Sequence, residues 1–375
     1  MKQQLLNISG LRQRLQRNYL GIEITDFCIK LVEIEPQLVG LPIVKNCIIE
    51  PLADGTISNG IIADSGSIVR SLKHLLSNHK LKSRLVHFVI PTQLVLIRFL
   101  KLPDIAEQDL RKMIQFEIEH NLQLPFENPR HDFVKLNGDL KKSKRSDILQ
   151  KEVSLNKLFK QKKSTGRSPV SVLPSEGSEN SHQAAMCDVM LAAAPSERII
   201  EFVEVLEAAG LQLLSFEIKP LSLYRLMTVA YPASKEQSIL IADIGKNYME
   251  LVILHRGVLK ISRNIPLRFP TNQGLFYKDE DNSIDDLCAE LADEMDRLIK
   301  FYLYTLDHRD HQVTNVYLCG DINGLYDISE YLNNQMPQEV SIMMNPDFES
   351  QYLDFDSEYP TFAVPLGLAL RGKEA

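Results

Sequence analysis

The sequence predicts an α/β chain of two related units, with a small α+β module inserted in the first. Two segments of like layout carry that prediction: Gly21-Ile-Glu-Ile-Thr-Asp-Phe-Cys-Ile-Lys-Leu-Val-Glu-Ile and Ile241-Ala-Asp-Ile-Gly-Lys-Asn-Tyr-Met-Glu-Leu-Val-Ile-Leu. Each reads as a buried strand ending in an acid, a tight turn and a returning apolar strand. A third observation is the segment 91–219, which reads strand–helix–strand, linker, strand–helix–strand, a self-contained α+β pattern between longer α/β stretches.

The elements follow in order. Leu20–Ile34 forms a hairpin broken at Thr25-Asp26, Val44–Pro51 is a further strand, and Gly55 and Gly60 mark turns. Asp64 or Ser65 caps a helix with Ile68, Leu72, Leu75 and Leu76 on one face, and Leu85–Ile90 is a buried strand. From Pro91 the texture changes. Leu94–Leu102 is a strand, Asp104-x-x-Glu107 has the spacing of a capping box, and its helix turns Leu110, Ile114, Ile118 and Leu122 inward. His131–Leu136, Met186–Ala194 and Leu213–Ile218 are strands, and the helix from Ser196 stops at Gly210. In the second unit Ile239–Ile244, Met249–Leu254 and Val258–Ile265 are strands. Ser283-x-x-Asp286 opens a long helix, Val313–Cys319 runs into Gly320, Leu325–Asn333 is helical, and Phe362–Arg371 is an amphipathic closing piece.

Composition narrows the function. At 375 residues, 44% hydrophobic and 24% charged, the chain is an ordinary globular protein with room for two or three cores. A net charge of −7 argues against nucleic acid as a partner, which calls for a strongly basic face. The five cysteines (Cys28, Cys47, Cys187, Cys288, Cys319) are scattered and never in a C-x-x-C pair, as expected of reduced thiols in the cytoplasm. No apolar run reaches about 18 residues, so no membrane span is expected. Residues 1–18 form a basic leader, read as packing on the domain or as a helix touching a membrane. Segment 138–182 carries ten basic against five acidic residues and little apolar periodicity; it is expected to be a disordered insertion, with acidic partners or lipid headgroups as an alternative use.

A strand ending in an acid and followed by a tight turn suits phosphate. Backbone N–H groups of the turn point at phosphate oxygens, glycine permits close approach, and the carboxylate holds Mg²⁺ through water. An ordinary β-hairpin with a charged tip has the same pattern. Two such hairpins, followed by a strand–Gly turn–helix at Val316–Ile328, make a more specific set.

In this order of motifs the chain resembles the actin, sugar kinase and Hsp70 superfamily, and within it the FtsA and PilM branch. GIEITDFCIKLVEI is similar to the first phosphate hairpin, IADIGKNYMELVIL to the second and VYLCGDINGL to the adenosine turn. IPTQLVLIRFLKLPDIAEQDLRKMIQFEIEHNLQLPFE, FEIKPLSLYRLM, GVLKISRNIPL and GLALRG resemble the PilM family in particular. The resemblance implies an actin-like two-lobed fold of duplicated ribonuclease-H-like domains. Domain 1A would comprise 19–90 and about 355–375, domain 1C 91–219, and domain 2, with 2A and a smaller 2B, 220–354.

It also implies ATP in the cleft between lobes, bound through Glu23, Thr25, Asp26, Phe27, Lys30, Asp243, Gly245, Lys246, Asn247, Gly320 and Asp321, with Mg²⁺ held through water by Glu23 and Asp243. The implied role is a cytoplasmic scaffold of the type IV pilus platform at the inner face of the membrane. Its partner would be the cytoplasmic tail of a PilN-like single-span membrane protein, received in a groove that includes Ile90, Val95, Ile97 and Arg98. Other platform or motor proteins and self-association are further candidates. Several positions depart from the family pattern. Thr25 stands where glycine is usual, Glu23 where Asp is commoner, Arg268-Phe269 in place of Gly-Gly, and Asp321 in place of a second glycine. They point to weak nucleotide binding and negligible turnover. A sugar-kinase-like phosphotransferase, the enzymatic alternative, needs a carboxylate base and a polar substrate pocket. A component of a related secretion or competence system is the other alternative. His308 and His311 flank Asp310 in a polar loop, readable as a metal cluster or as a solvated turn.

Overall fold

The computed structural model describes residues 17–136, 185–268, 284–306 and 308–374. Most of the leader and the whole basic insertion therefore lie outside the described residues, as does Ser283 of the expected capping box. The chain begins with strands Tyr19–Ile24 (β1), Cys28–Glu35 (β2) and Ile43–Pro51 (β3), then the short pair Ile57–Ser58 (β4) and Ile61–Ile62 (β5). Helix Ser65–Asn78 (α1) starts on Asp64, whose carboxylate accepts from the Ser67 amide, and turns Ile68, Leu72, Leu75 and Leu76 inward. Leu85–Val89 (β6), Leu96–Pro103 (β7), helix Glu107–His120 (α2), Pro129–Lys135 (β8) and Met186–Pro195 (β9) come next. Helix Ser196–Ala208 (α3), Gln212–Glu217 (β10) and helix Lys219–Ala230 (α4) lead to the second half.

That half contains Ser238–Ile244 (β11), Tyr248–His255 (β12), Val258–Pro266 (β13), helix Ile284–Lys300 (α5), Asn315–Cys319 (β14), helix Leu325–Gln335 (α6) and Glu339–Ile342 (β15). Three short helices follow, Phe355–Glu358 (α7), Ala363–Ala369 (α8) and Arg371–Glu374 (α9).

Two five-stranded sheets repeat one plan. The first has the order β10-β6-β1-β2-β3 and the second β13-β12-β11-β14-β15. In each, an antiparallel hairpin is joined in parallel to a strand from later in the chain: β1 to β6, and β11 to β14. The central strands are buried along both faces, which explains why they read as continuous apolar runs rather than alternating ones. The second sheet buries Leu240, Leu251, Leu291, Met295, Leu298 and Leu318 in one cluster with α5 and α6.

The inserted module is smaller than the expected 91–219. Among the described residues a compact unit comprises 98–125, 133–136 and 185–191, and the others form the larger unit. The boundary moves because β10 pairs in parallel with β6 and so completes the first sheet. The smaller unit has its own core of Leu102, Leu110, Ile114, Ile118, Phe133, Cys187, Val189 and Leu191. Its helix lacks the expected capping box: Ala106 occupies the cap position, and Asp104 pairs with Lys135 at 2.8 Å instead. The strand expected at Leu94 starts later, since Thr92–Leu94 forms a 3₁₀ turn.

The closing piece is not amphipathic. Every residue of α8 is buried. It packs so close to β1 that a Cβ on Gly21 would come within 1.9 Å of the Pro365 carbonyl, and one on Gly367 within 2.3 Å of the Ser222 carbonyl in α4.

Candidate functional site: a buried charge cluster between two hairpins

Strand geometry places the two acids at matching positions. In the first hairpin Glu23 faces Lys30, and in the second Asp243 faces Glu250. Both acids lie near the ends of central strands, 2% and 3% exposed, where a carboxylate is costly unless paired.

The pairing comes largely from a residue that sequence reasoning had not placed in the site. Lys219, the first residue of α4, puts its Nζ 2.9 Å from Glu23 Oε1 and 2.6 Å from Asp243 Oδ2. Lys30 Nζ completes the cluster, 2.8 Å from Glu23 Oε2 and 3.4 Å from Asp321 Oδ2. Lys30, which the resemblance implies as a nucleotide ligand, is 2% exposed and bound to carboxylates.

Burial alone would raise the Glu23 carboxyl; the Lys219 and Lys30 ammoniums outweigh it and hold the group at about 2. Burial works against the charge on Lys219 too, but Asp243 and then Glu23 keep it above the ordinary lysine range. Lys30 is likewise raised, by Asp321 and Glu23 against the effect of burial. Cys28 and Cys319 sit at the edge, each with its sulfur 3.8 Å from a carboxylate oxygen, of Asp321 and Asp243 respectively. Among the described residues Glu250 has no cation within ion-pair distance, and Lys219 acts on it only from farther away. Burial pushes it up to about 7, against the Ser262 hydroxyl that hydrogen-bonds it.

Three amides of the first hairpin turn, those of Thr25, Phe27 and Cys28, are engaged within it. Thr25 Oγ1 accepts from the amides of Phe27 and Cys28 at 3.2 and 3.1 Å, and the Thr25 amide donates to the Cys28 carbonyl at 2.9 Å. The hydroxyl thus fills the inside of a turn whose N–H groups were expected to point at phosphate. Asp26 faces away, accepting from the amides of Asn59 and Gly60 at 2.8 and 2.9 Å.

The second hairpin is more open. Gly245 donates to the Tyr248 carbonyl and Asn247 accepts from the Leu267 amide through its carbonyl, while the Asn247 side-chain Oδ1 is buried with no hydrogen-bond partner among the described residues. The two hairpin tips touch: Lys246 Nζ lies 4.8 Å from the centre of the Phe27 ring, and the Tyr248 hydroxyl donates to Asn59 at 2.8 Å. Gly320 is required where it stands. Its φ is +114°, and a Cβ there would come within 2.2 Å of the Ile244 carbonyl.

The donor set does not fit Mg²⁺. The two carboxylates assigned to it converge on an ammonium, and two lysines already lie within ion-pair distance of Glu23. Among the described residues no group of three or more His, Cys, Asp or Glu side chains could hold a metal ion. That includes His308 and His311, whose rings stack, His311 stacking in turn on His255 at 3.6 Å between ring centres.

The residues assigned to a partner groove are placed as follows. Ile90 is buried and its amide donates to the Glu217 carbonyl; Val95 and Ile97 are half-buried and Arg98 is exposed.

Comparison with known proteins agrees with this architecture. Residues 21–158 match the family model of the type IV pilus assembly protein PilM. A search of curated proteins found no match. Among solved structures, a chain of the PilM–PilN type IV pilus biogenesis complex is similar with a TM-score of 0.72 at 21% identity, covering 95% of this chain and 99% of that one. The ethanolamine utilization protein EutJ from Carboxydothermus hydrogenoformans gives a TM-score of 0.50 at 12% identity, covering 94% and 89%. The chain is therefore PilM-like in sequence over residues 21–158 and has an actin-like fold over nearly its whole length.

Proposed function

We propose that the chain is a scaffold of the type IV pilus inner-membrane platform, acting at the cytoplasmic face and binding the cytoplasmic tail of a PilN-like single-span membrane protein. The observation that carries this reading is the coincidence of the PilM match over 21–158 with the likeness, across 95% of the chain, to a protein solved in a complex with PilN. Among the described residues no helix is long and apolar enough to cross a membrane, which is compatible with a peripheral scaffold. The tail would be held through Ile90, Val95, Ile97 and Arg98, with apolar anchors carrying most of the affinity. The test replaces Val95 or Ile97 with Asp, verifies folding by circular dichroism and titrates a peptide of the cytoplasmic tail of a PilN-like membrane protein. At least a tenfold loss of affinity is expected; unchanged affinity in both folded variants rejects this surface.

Nucleotide binding is a second reading, favoured by the actin-like fold and by Gly245 and Gly320, glycines retained at the second hairpin turn and at the turn after β14. ATP would meet a cluster in which three carboxylates outnumber two ammoniums, and a first turn with three of its amides engaged. Binding is expected to be weak and turnover absent. Calorimetry with ATP decides it: no heat and no rise in melting temperature at millimolar ATP retires the reading.

A further inference from the structure

The geometry points to Lys219 as a built-in replacement for a divalent cation: its ammonium joins Glu23 of one sheet to Asp243 of the other, so this cleft takes no metal ion. Two carboxylates that end central strands of different sheets, both nearly removed from water, need a cation between them. The cation present belongs to the chain itself, at 2.9 and 2.6 Å.

Local structure gives no other reason for a lysine there. Lys219 is the first residue of α4 and Pro220 the second. The N-terminal end of a helix carries the positive pole of the backbone dipole, so an ammonium at this place is opposed by its own helix. The two carboxylates outweigh that opposition. A metal ion seated beside them would also meet the Lys30 ammonium, 2.8 Å from Glu23. Two positive charges are therefore already in place where a divalent ion would bring two more. The consequence is a cleft held together without metal, in contrast to one that assembles only when a metal arrives. This holds whether or not the chain serves a pilus, because it concerns only the side chains within the larger unit.

The test uses the full chain and Mn²⁺ as the probe, followed by electron paramagnetic resonance and calorimetry. The unaltered protein and Lys219→Arg are expected to show no saturable Mn²⁺ binding. Lys219→Ala is expected to bind Mn²⁺ at least tenfold more tightly than the unaltered protein. Its melting temperature should fall in chelator and rise with Mg²⁺, while that of the unaltered protein is the same in both. Saturable Mn²⁺ binding by the unaltered protein that Asp243→Asn removes overturns the proposal. So does a folded Lys219→Ala that gains no metal affinity. Should Lys219→Ala fail to fold, the unaltered protein decides alone: its binding of Mn²⁺ at Asp243 rejects the proposal, and its indifference to Mn²⁺ and chelator upholds it.

Discussion

Lys30 and Glu250 hold the same register position in two equivalent hairpins, one opposite Glu23 and the other opposite Asp243, yet they carry opposite charges. The first hairpin thus supplies its own cation, whereas the second sets an acid beside an acid and draws Lys219 from elsewhere. The duplication is one of backbone, and its electrostatics are asymmetric.

That asymmetry makes Glu250 a source of pH dependence. Its folded value, about 7, lies above the ordinary 4.5, so its contribution is complete below pH 4.5 and is lost as pH rises through 7. Glu250→Gln should match the unaltered protein at pH 4 and exceed it at pH 8 by about 2–3 kcal/mol. Urea melts at the two pH values measure the difference; a variant destabilised equally at both would show that packing governs.

Lys30→Met removes one partner of a buried ionic group and leaves Glu23 and Asp321 short of a cation. A loss of about 3 kcal/mol is expected. Adding Glu23→Gln to Lys30→Met should return part of it, and a thermodynamic cycle over the four proteins measures that coupling.

His87 acts on the acid side. It lies in β6, 4% exposed, with Nδ1 2.7 Å from the Ser215 hydroxyl and Nε2 buried with no hydrogen-bond partner among the described residues. Burial, and after it the Arg371 guanidinium, push its ionisation down to about 3 from 6.5. Its contribution is complete above pH 6.5 and is lost as pH falls towards 3. Between pH 6.5 and 4 the unaltered protein should lose about 3 kcal/mol more than His87→Gln. Parallel acid titrations of the two proteins, followed by circular dichroism, provide the check.

Gly320→Ala should be among the most damaging small substitutions. The methyl would meet the Ile244 backbone at 2.2 Å, and the φ of +114° adds strain for any other residue. A loss of about 3 kcal/mol or more is expected. Gly210→Ala is the control: its φ is +86° but the space around it is open, so about 1 kcal/mol is expected there.

How much of this was legible in the sequence depends on the range of the interaction. The two hairpins were legible because buried central strands impose continuous apolar runs, and their acids stand out against Ile and Leu. The helix at Asp64 was legible because a cap is local. Lys219 was not, since a lysine before a proline at a helix start carries no sign of carboxylates that arrive from β1 and β11. The same holds for Asp104, which fits a capping box in spacing but finds Lys135 from another strand. Thr25 was identified as a departure from the family, but its hydroxyl, which occupies the turn amides, was the part that sequence did not reveal.

The placement of α8 bears on the order in which the protein is made. Residues 363–369 lie against β1 at Gly21 and against α4 at Ser222, so the first sheet shares its core with a segment translated more than 300 residues later. The second sheet, complete by Ile342, has all its strands before that segment leaves the ribosome. The first half to be synthesised is thus the last to be finished, and it waits with an apolar face uncovered. Chaperone occupancy during translation should therefore fall on the early half of the chain and end only when α8 emerges.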